Sequence, residues 1–149
     1  MTTRSDVESF LQCPALALVG LSRSGKKFGN LACRELRTRG YRVYPIHKSA
    51  ESIDGVTCVR DFASLPEPVD AVLVVVPPAE AMSVVRDAAA HGLHHVWLQQ
   101  GAESPDVLQA CQDLRLNVVS GECILMFASP RSYHKLHRAV WRWLGKLPH

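Results

Sequence analysis

Residues 15–27 read ALALVGLSRSGKK, an apolar run followed by a loop of glycines, serines and basic residues. The apolar run predicts a buried strand, and the spacing of the apolar residues after it predicts a helix over residues 27–39. A loop between a strand and a helix N-terminus directs backbone N–H groups at an anion. This stretch therefore predicts an α/β fold with a phosphate-binding loop behind its first strand.

The loop departs by one residue from the nucleotide-hydrolase motif G-x-x-x-x-G-K-[ST]. Lys27 stands where that motif has the hydroxyl residue that holds Mg²⁺, and a second cation there would repel the metal. A carboxylate should also follow a later apolar strand. The strand predicted at residues 69–76 instead ends at Pro77-Pro78, and its only acid, Asp70, lies near its beginning. Both departures argue against nucleotide hydrolysis.

The loop also departs by one residue from the dinucleotide-binding motif G-x-G-x-x-G, because Ser22 replaces the middle glycine. Gly20 allows the tight turn, and Gly25 is expected to allow close packing of the helix on the sheet. Ser22 adds a hydroxyl that can bond a phosphate oxygen, and the basic residues supply charge for more phosphate than one pyrophosphate carries. A solvated turn with a few lysines is the alternative explanation of this loop.

The composition is that of an ordinary globular protein: 149 residues, 47% hydrophobic, 21% charged, with a formal net charge of +3. We expect one domain spanning residues 1–149. No apolar run approaches the ~20 residues that cross a bilayer, and no signal sequence is recognisable, so we expect a cytoplasmic protein. Five scattered cysteines without a C-x-x-C pair, and dispersed histidines, predict neither a disulfide framework nor a metal site.

Positive charge is concentrated near the C-terminus, where no acid follows Glu122. The apolar residues of this region lie at helical spacing and predict a basic amphipathic helix over about residues 131–145. Such a helix could dock on the rest of the protein, or bind nucleic acid or a membrane surface. Its Trp, Leu and Tyr side chains favour docking, so nucleic acid is not the expected partner.

Strands and helices alternate along the chain. We predict strands at 15–20, 41–46, 69–76, 94–98 and 117–120, an edge piece at 56–59, and helices at 27–39, 79–91 and 104–115. A short helix through Leu11 is expected to begin at a capping box formed by Ser5 and Glu8. This order predicts a Rossmann-like, doubly wound parallel sheet of about five strands flanked by helices, in the order 3-2-1-4-5. Such sheets bind ligands where the order reverses, here between the first and fourth strands.

The end of the second strand argues against NAD. Folds that bind NAD place an acid there to bond the ribose 2′-hydroxyl. Residues 45–48 instead read Pro-Ile-His-Lys, so that His47 and Lys48 stand where the acid would be. These side chains favour a ribose that carries a phosphate, and both NADP and coenzyme A carry one.

Several further segments have a common pattern: GYRVYPI at 40–46, LPEPVD at 65–70, Pro77-Pro78, VWLQQG at 96–101 and ECI at 122–124. With them the chain resembles the small stand-alone CoA-binding domain proteins, which are relatives of the nucleotide-binding domain of succinyl-CoA ligase alpha subunits. The resemblance covers about residues 12–126. It implies a Rossmann-like fold and CoA binding, with no settled catalytic activity. Members often have Asn-Pro where this chain has His47-Lys48, and the phosphorylated histidine of the ligases belongs to a further domain without a counterpart here.

The resemblance and the crevice together predict the binding residues. The N–H groups of residues 22–25 and the helix behind them would hold the pyrophosphate, the basic loop residues would supply charge, and residues 45–48 would border the adenosine. An apolar wall at residues 76–77 and a closing segment at 99–101 complete the site. The predicted set is Gly20, Ser22, Arg23, Ser24, Gly25, Lys26, Pro45, His47, Lys48, Val76, Pro77, Gln99 and Gly101. No nucleophile–base pair is recognisable, so no catalytic residue is predicted.

The expected function is therefore binding of CoA or an acyl-CoA by a non-catalytic module that serves as a carrier, a sensor or a subunit of an acyl-CoA enzyme. An NADP-linked oxidoreductase and an interaction module that uses the C-terminal helix are the alternatives. Cys123 lies just past the last strand and could form a mixed disulfide with the CoA thiol, or be a packing residue. The sequence leaves the oligomeric state open.

Overall fold

The structure is a computed structural model that describes residues 2–128. The basic helix predicted over 131–145 lies outside the described residues. The helices are α1 (Arg4–Leu11), α2 (Phe28–Thr38), α3 (Pro78–Ala90) and α4 (Pro105–Asp113). The strands are β1 (Ala15–Val19), β2 (Arg42–Ile46), β3 (Ser52–Ile53), β4 (Val56–Thr57), β5 (Ala71–Val74), β6 (His95–Leu98) and β7 (Asn117–Ser120).

Five parallel strands form the main sheet in the order β2-β1-β5-β6-β7, which confirms the predicted Rossmann-like fold. The order reverses between β1 and β5, which are the first and fourth strands of the predicted order when the edge piece at 56–59, beside β2, is counted as the third. The edge piece predicted at 56–59 is less regular than a strand. Val59 forms a single parallel bridge with Ile46 beside β2, whereas Val56–Thr57 pairs antiparallel with Ser52–Ile53 in a separate hairpin.

The core lies on both faces of the sheet, as a parallel sheet covered by helices requires. One face packs against α1 and α2, with Leu16 and Leu18 of β1 pointing to it. The opposite face packs against α3 and α4 and receives Ala15 and Ala17. Trp97 of β6 is fully buried on the first face, and its indole N–H donates to the Glu122 carbonyl at 3.0 Å. Full burial of such side chains stabilises by about 2 kcal/mol or more each, which fixes the strands and the loops that leave them.

The helix ends show how the chain limits its helices, and one of them corrects a sequence prediction. Ser104 caps α4, with Pro105 at its first position, and Gly40 follows α2 with a φ of +96°. The capping box of α1 is formed by Thr3 and Asp6, not by Ser5 and Glu8. In both pairs the two residues lie three positions apart, and α1 begins two residues earlier than predicted because the Thr3–Asp6 pair satisfies its first N–H groups.

Candidate functional site

Two glycines allow β1, β5 and the start of α2 to meet. Gly20, directly after β1, has a φ of +132°, and a Cβ atom there would lie 2.3 Å from the Val75 carbonyl oxygen. A Cβ on Gly29, in the first turn of α2, would lie 2.4 Å from the Gly20 carbonyl oxygen. The close approach of helix and sheet therefore depends on Gly29, and its assignment to Gly25 is wrong. Gly25 instead turns the loop with a φ of +73° and faces Asp54.

The loop is held from inside by Asn30, a residue that the sequence prediction missed. Only 1% of Asn30 is exposed. Its side-chain oxygen accepts from the Ser22 N–H at 3.0 Å, and its side-chain nitrogen donates to the Ser22 carbonyl at 2.9 Å. An Asn in the first turn of the helix that follows a glycine-rich loop is the sequence signal that could have identified it, because its amide can both donate to and accept from the loop backbone.

The hydroxyls of the loop bond within the loop. Ser22 Oγ and Ser24 Oγ lie 2.9 Å apart, and each also accepts a backbone N–H, from Ser24 and Lys26 respectively. The Gly25 N–H donates to the Ser22 carbonyl at 3.0 Å. Of the N–H groups that were predicted to hold a pyrophosphate, that of Ser22 is thus bonded to Asn30, and those of Ser24 and Gly25 are bonded within the loop. The bonds to the two hydroxyls are the long ones, 3.2 and 3.3 Å, and are the easiest to exchange for a phosphate oxygen.

The N-terminus of α2 is open to an anion. Its N-cap residue is Lys27, whose side chain makes no capping hydrogen bond, and the first turn contains no acidic residue. The unpaired N–H groups of a first helical turn carry partial positive charge. Lys26 and Lys27 are exposed beside them, so the charge of the loop and the polarity of the helix add.

The end of β2 is brought against the loop, as the sequence predicted. The Arg23 guanidinium donates to Ser49 Oγ at 2.7 Å and so joins the loop to the turn after β2. His47 Nδ1 accepts from the N–H groups of Ser49 and Ala50 at 3.2 and 2.9 Å. One ring nitrogen of His47 thus shapes this turn, and the neighbouring Lys48 is exposed.

On the other side of the reversal point, the predicted residues differ in their surroundings. Val76 is half-buried and Pro77 exposed at the start of α3. Gln99 is only 6% exposed, and its side-chain oxygen accepts from the Ile124 N–H at 3.1 Å. Gly101 is exposed, with a φ of +97°. Gln99 therefore fastens the segment after β7 to the end of β6.

An acid also reaches the loop, from the β3–β4 hairpin. Asp54, at the tip of this hairpin, forms an ion pair with Arg34 at 3.2 Å. One Asp54 oxygen would lie 2.7 Å from a Cβ on Gly25. The sequence analysis gave no sign that this hairpin would fold over the glycine-rich loop, because that contact joins residues far apart in the chain.

Burial makes three of the cysteine thiols harder to ionise. Burial raises the pKa of Cys33 and of Cys58, and it raises the pKa of Cys111 to about 11. Cys123 is half-buried, directly before the short 3-10 helix at Ile124–Met126.

Among residues 2–128, no three metal-binding side chains gather into one cluster, and no helix is long and apolar enough to span a membrane.

Known proteins share both the sequence pattern and the fold. Residues 15–129 match the profile of a family described as CoA binding domain. A conserved hypothetical protein of Pyrococcus furiosus is 32% identical, with a TM-score of 0.70 over 74% of this chain and 96% of that one. The uncharacterized protein YneT of Bacillus subtilis is 21% identical over 82% of this chain and 91% of its own length. A dinucleotide-forming acetyl-coenzyme A synthetase of Ca. Korarchaeum cryptofilum has the same fold in 27% of its chain, with a TM-score of 0.65 and 22% identity.

Proposed function

Because the chain belongs to the CoA binding domain family, we propose that it binds coenzyme A or an acyl-CoA at the carboxyl edge of its sheet, without chemistry of its own. The observation that carries the proposal is the junction of β1, the glycine-rich loop and α2. There an uncapped helix N-terminus and two exposed lysines lie at the reversal point of the sheet. An anionic pyrophosphate suits this combination.

The adenosine end of the ligand is assigned to the turn after β2. Pro45 is buried at the end of β2, and the turn that follows is tied to the loop by Arg23. The exposed Lys48 is the residue proposed to bond the ribose phosphate, and Val76 and Pro77 are proposed as the apolar wall. The proposal includes a cytoplasmic location, which the five free cysteines support, and an acyl-CoA enzyme as partner.

Thermal unfolding with different nucleotides tests the proposal. We would compare CoA, acetyl-CoA, dephospho-CoA, NADPH, NADH and Mg-ATP. A ligand at about 100 times its dissociation constant adds about 2.7 kcal/mol, which raises the unfolding midpoint by several degrees in a protein of this size. We expect a rise with CoA and its thioester. A rise with NADPH alone would instead favour a reductase.

Two lysine variants separate the pyrophosphate from the ribose phosphate. Lys48→Ala should lower the affinity for CoA by up to roughly fivefold and leave the affinity for dephospho-CoA unchanged, since one exposed charge pair contributes up to about 1 kcal/mol. Lys26→Ala should lower the affinity for both ligands equally, because both contain the pyrophosphate. If Lys26→Ala combined with Ser22→Ala binds CoA as tightly as the wild type does, the assignment of the loop to phosphate is wrong.

A further inference from the structure

Asn30 contacts the glycine-rich loop and the β3–β4 hairpin at once. Besides its two bonds to the Ser22 backbone, its side-chain nitrogen lies 3.5 Å from an Asp54 carboxylate oxygen. The nitrogen thus faces two acceptors, and the oxygen faces one donor. These partners determine which end of the amide is which.

Asp54 is itself held in place. Arg34, one helical turn after Asn30, lies 3.2 Å from the same carboxylate oxygen and 3.4 Å from the Gly25 carbonyl. The hairpin tip, α2 and the loop are therefore joined through one carboxylate and one amide. Only a side chain that donates and accepts at that length can satisfy both backbone groups of Ser22.

We propose that Asn30 is a positioning residue for the ligand: oriented by Asp54, its amide fixes Ser22 and holds the loop in the shape that receives the pyrophosphate. This inference rests on the proposed function, because it assigns a role within the same site. Asn30 itself is buried under the loop and acts on the ligand only through Ser22.

The variant Asn30→Asp tests this role through pH. An ionised carboxylate at this position still accepts the Ser22 N–H, but it cannot donate to the Ser22 carbonyl, and it faces Asp54. Protonation of the introduced carboxyl restores a donor, and the like charge of Asp54 raises its pKa. At neutral pH we expect the affinity for CoA to fall by about tenfold or more, as for loss of a buried hydrogen bond, and to recover at acid pH.

The neighbouring charges define the baseline. Arg34 and Asp54 contact the site, the basic residues of the loop lie beside it, and the Cys33 thiol is close enough to sense both Arg34 and Asp54. Burial raises the pKa of Cys33, so this thiol stays neutral at acid pH. The wild type contains all these groups, so their titration is removed by subtracting the pH dependence of wild-type CoA affinity from that of the variant. Adding Asp54→Asn to Asn30→Asp should move the recovery to lower pH, because the repelling charge is gone.

Asn117→Asp is the matched control. Asn117 is exposed on β7, at the opposite edge of the sheet, so the same chemical change there should alter neither the affinity nor its pH dependence. Equal CoA binding by Asn30→Asp and the wild type at every pH would overturn the inference. So would a loss at neutral pH that acid does not restore while the variant remains folded.

Amide hydrogen exchange in the wild type provides a readout that needs no ligand and no variant. The Ser22 N–H should exchange much more slowly than that of the exposed Arg23 next to it, and equal rates would contradict the positioning role. A wild type that binds no CoA refutes the proposed function alone. The Ser22 exchange rate then still decides whether Asn30 fixes the loop, and it also decides the matter if Asn30→Asp does not fold.

Discussion

Replacing Gly29 with alanine should destabilise the protein, although alanine is the better helix former. Intrinsic helix propensity alone favours Gly→Ala by about 1 kcal/mol. The new Cβ, however, would lie 2.4 Å from the Gly20 carbonyl oxygen and 2.9 Å from its carbon, about 1 Å short of ordinary contact. Both are backbone atoms at the end of a buried strand and cannot rotate away. Overpacking of this kind costs typically 1–3 kcal/mol, of which the propensity gain offsets about 1 kcal/mol, so we expect a net loss of up to about 2 kcal/mol.

Gly29→Ala should also lower the affinity for CoA. Relief of the contact requires α2 to move away from Gly20, which shifts the first-turn N–H groups that are proposed to face the pyrophosphate. Urea unfolding and calorimetric titration with CoA would measure the two effects on one preparation. A stabilised Gly29→Ala would refute the reasoning, because helix propensity would then outweigh the contact.

Gly92→Ala is the control for this experiment. Gly92 has a φ of +83° after α3, and a Cβ there would meet nothing within 4 Å. It should cost about 1–2 kcal/mol through backbone conformation alone and leave CoA affinity unchanged. A loss of CoA affinity in Gly92→Ala as large as that in Gly29→Ala would show that destabilisation, not displacement of α2, weakens the ligand.

Three further variants test single contacts. A hydrogen-bonded ion pair with Arg42 lowers the pKa of Glu67 from 4.5 to about 2. The contribution of Glu67 to stability is therefore complete above pH 4.5 and is lost as the pH falls toward 2. Urea titrations at several pH values should show this loss in the wild type and not in Glu67→Gln. Gln99→Leu leaves the buried Ile124 N–H of the 3-10 helix without its acceptor and should lower the free energy of unfolding by about 1–3 kcal/mol. Its effect on CoA affinity should be smaller. A larger loss in CoA affinity than in stability would make Gln99 a ligand residue. Thr3→Ala removes the cap of α1 and should lower the free energy of unfolding by about 1 kcal/mol, whereas Ser5→Ala should leave it almost unchanged. Equal unfolding midpoints for the two variants would contradict this assignment of the cap.

The sequence predicted the elements of the site better than their roles. The loop after β1 and the turn after β2 were both predicted to lie at the reversal point, and Arg23 does join them. Gln99 was predicted, from the position of its loop, to close the side of the site opposite the apolar wall, yet its side chain bonds Ile124. A sequence pattern marks such a position without showing whether a ligand or the protein itself occupies its hydrogen bonds.

The fold followed from local signals: apolar runs, glycine stops and the regular alternation of strands with helices are each readable within about 15 residues. The fixed handedness of parallel crossovers then left few possible strand orders. Which glycine permits close packing, and which side chains hold the loop, were decided only by tertiary structure. The Asn30, Arg34 and Asp54 contacts join α2 to a hairpin about 20 residues away in sequence, and Gly29 is required because of a carbonyl nine residues before it. Such contacts depend on where separate elements come to rest, and no local periodicity encodes that.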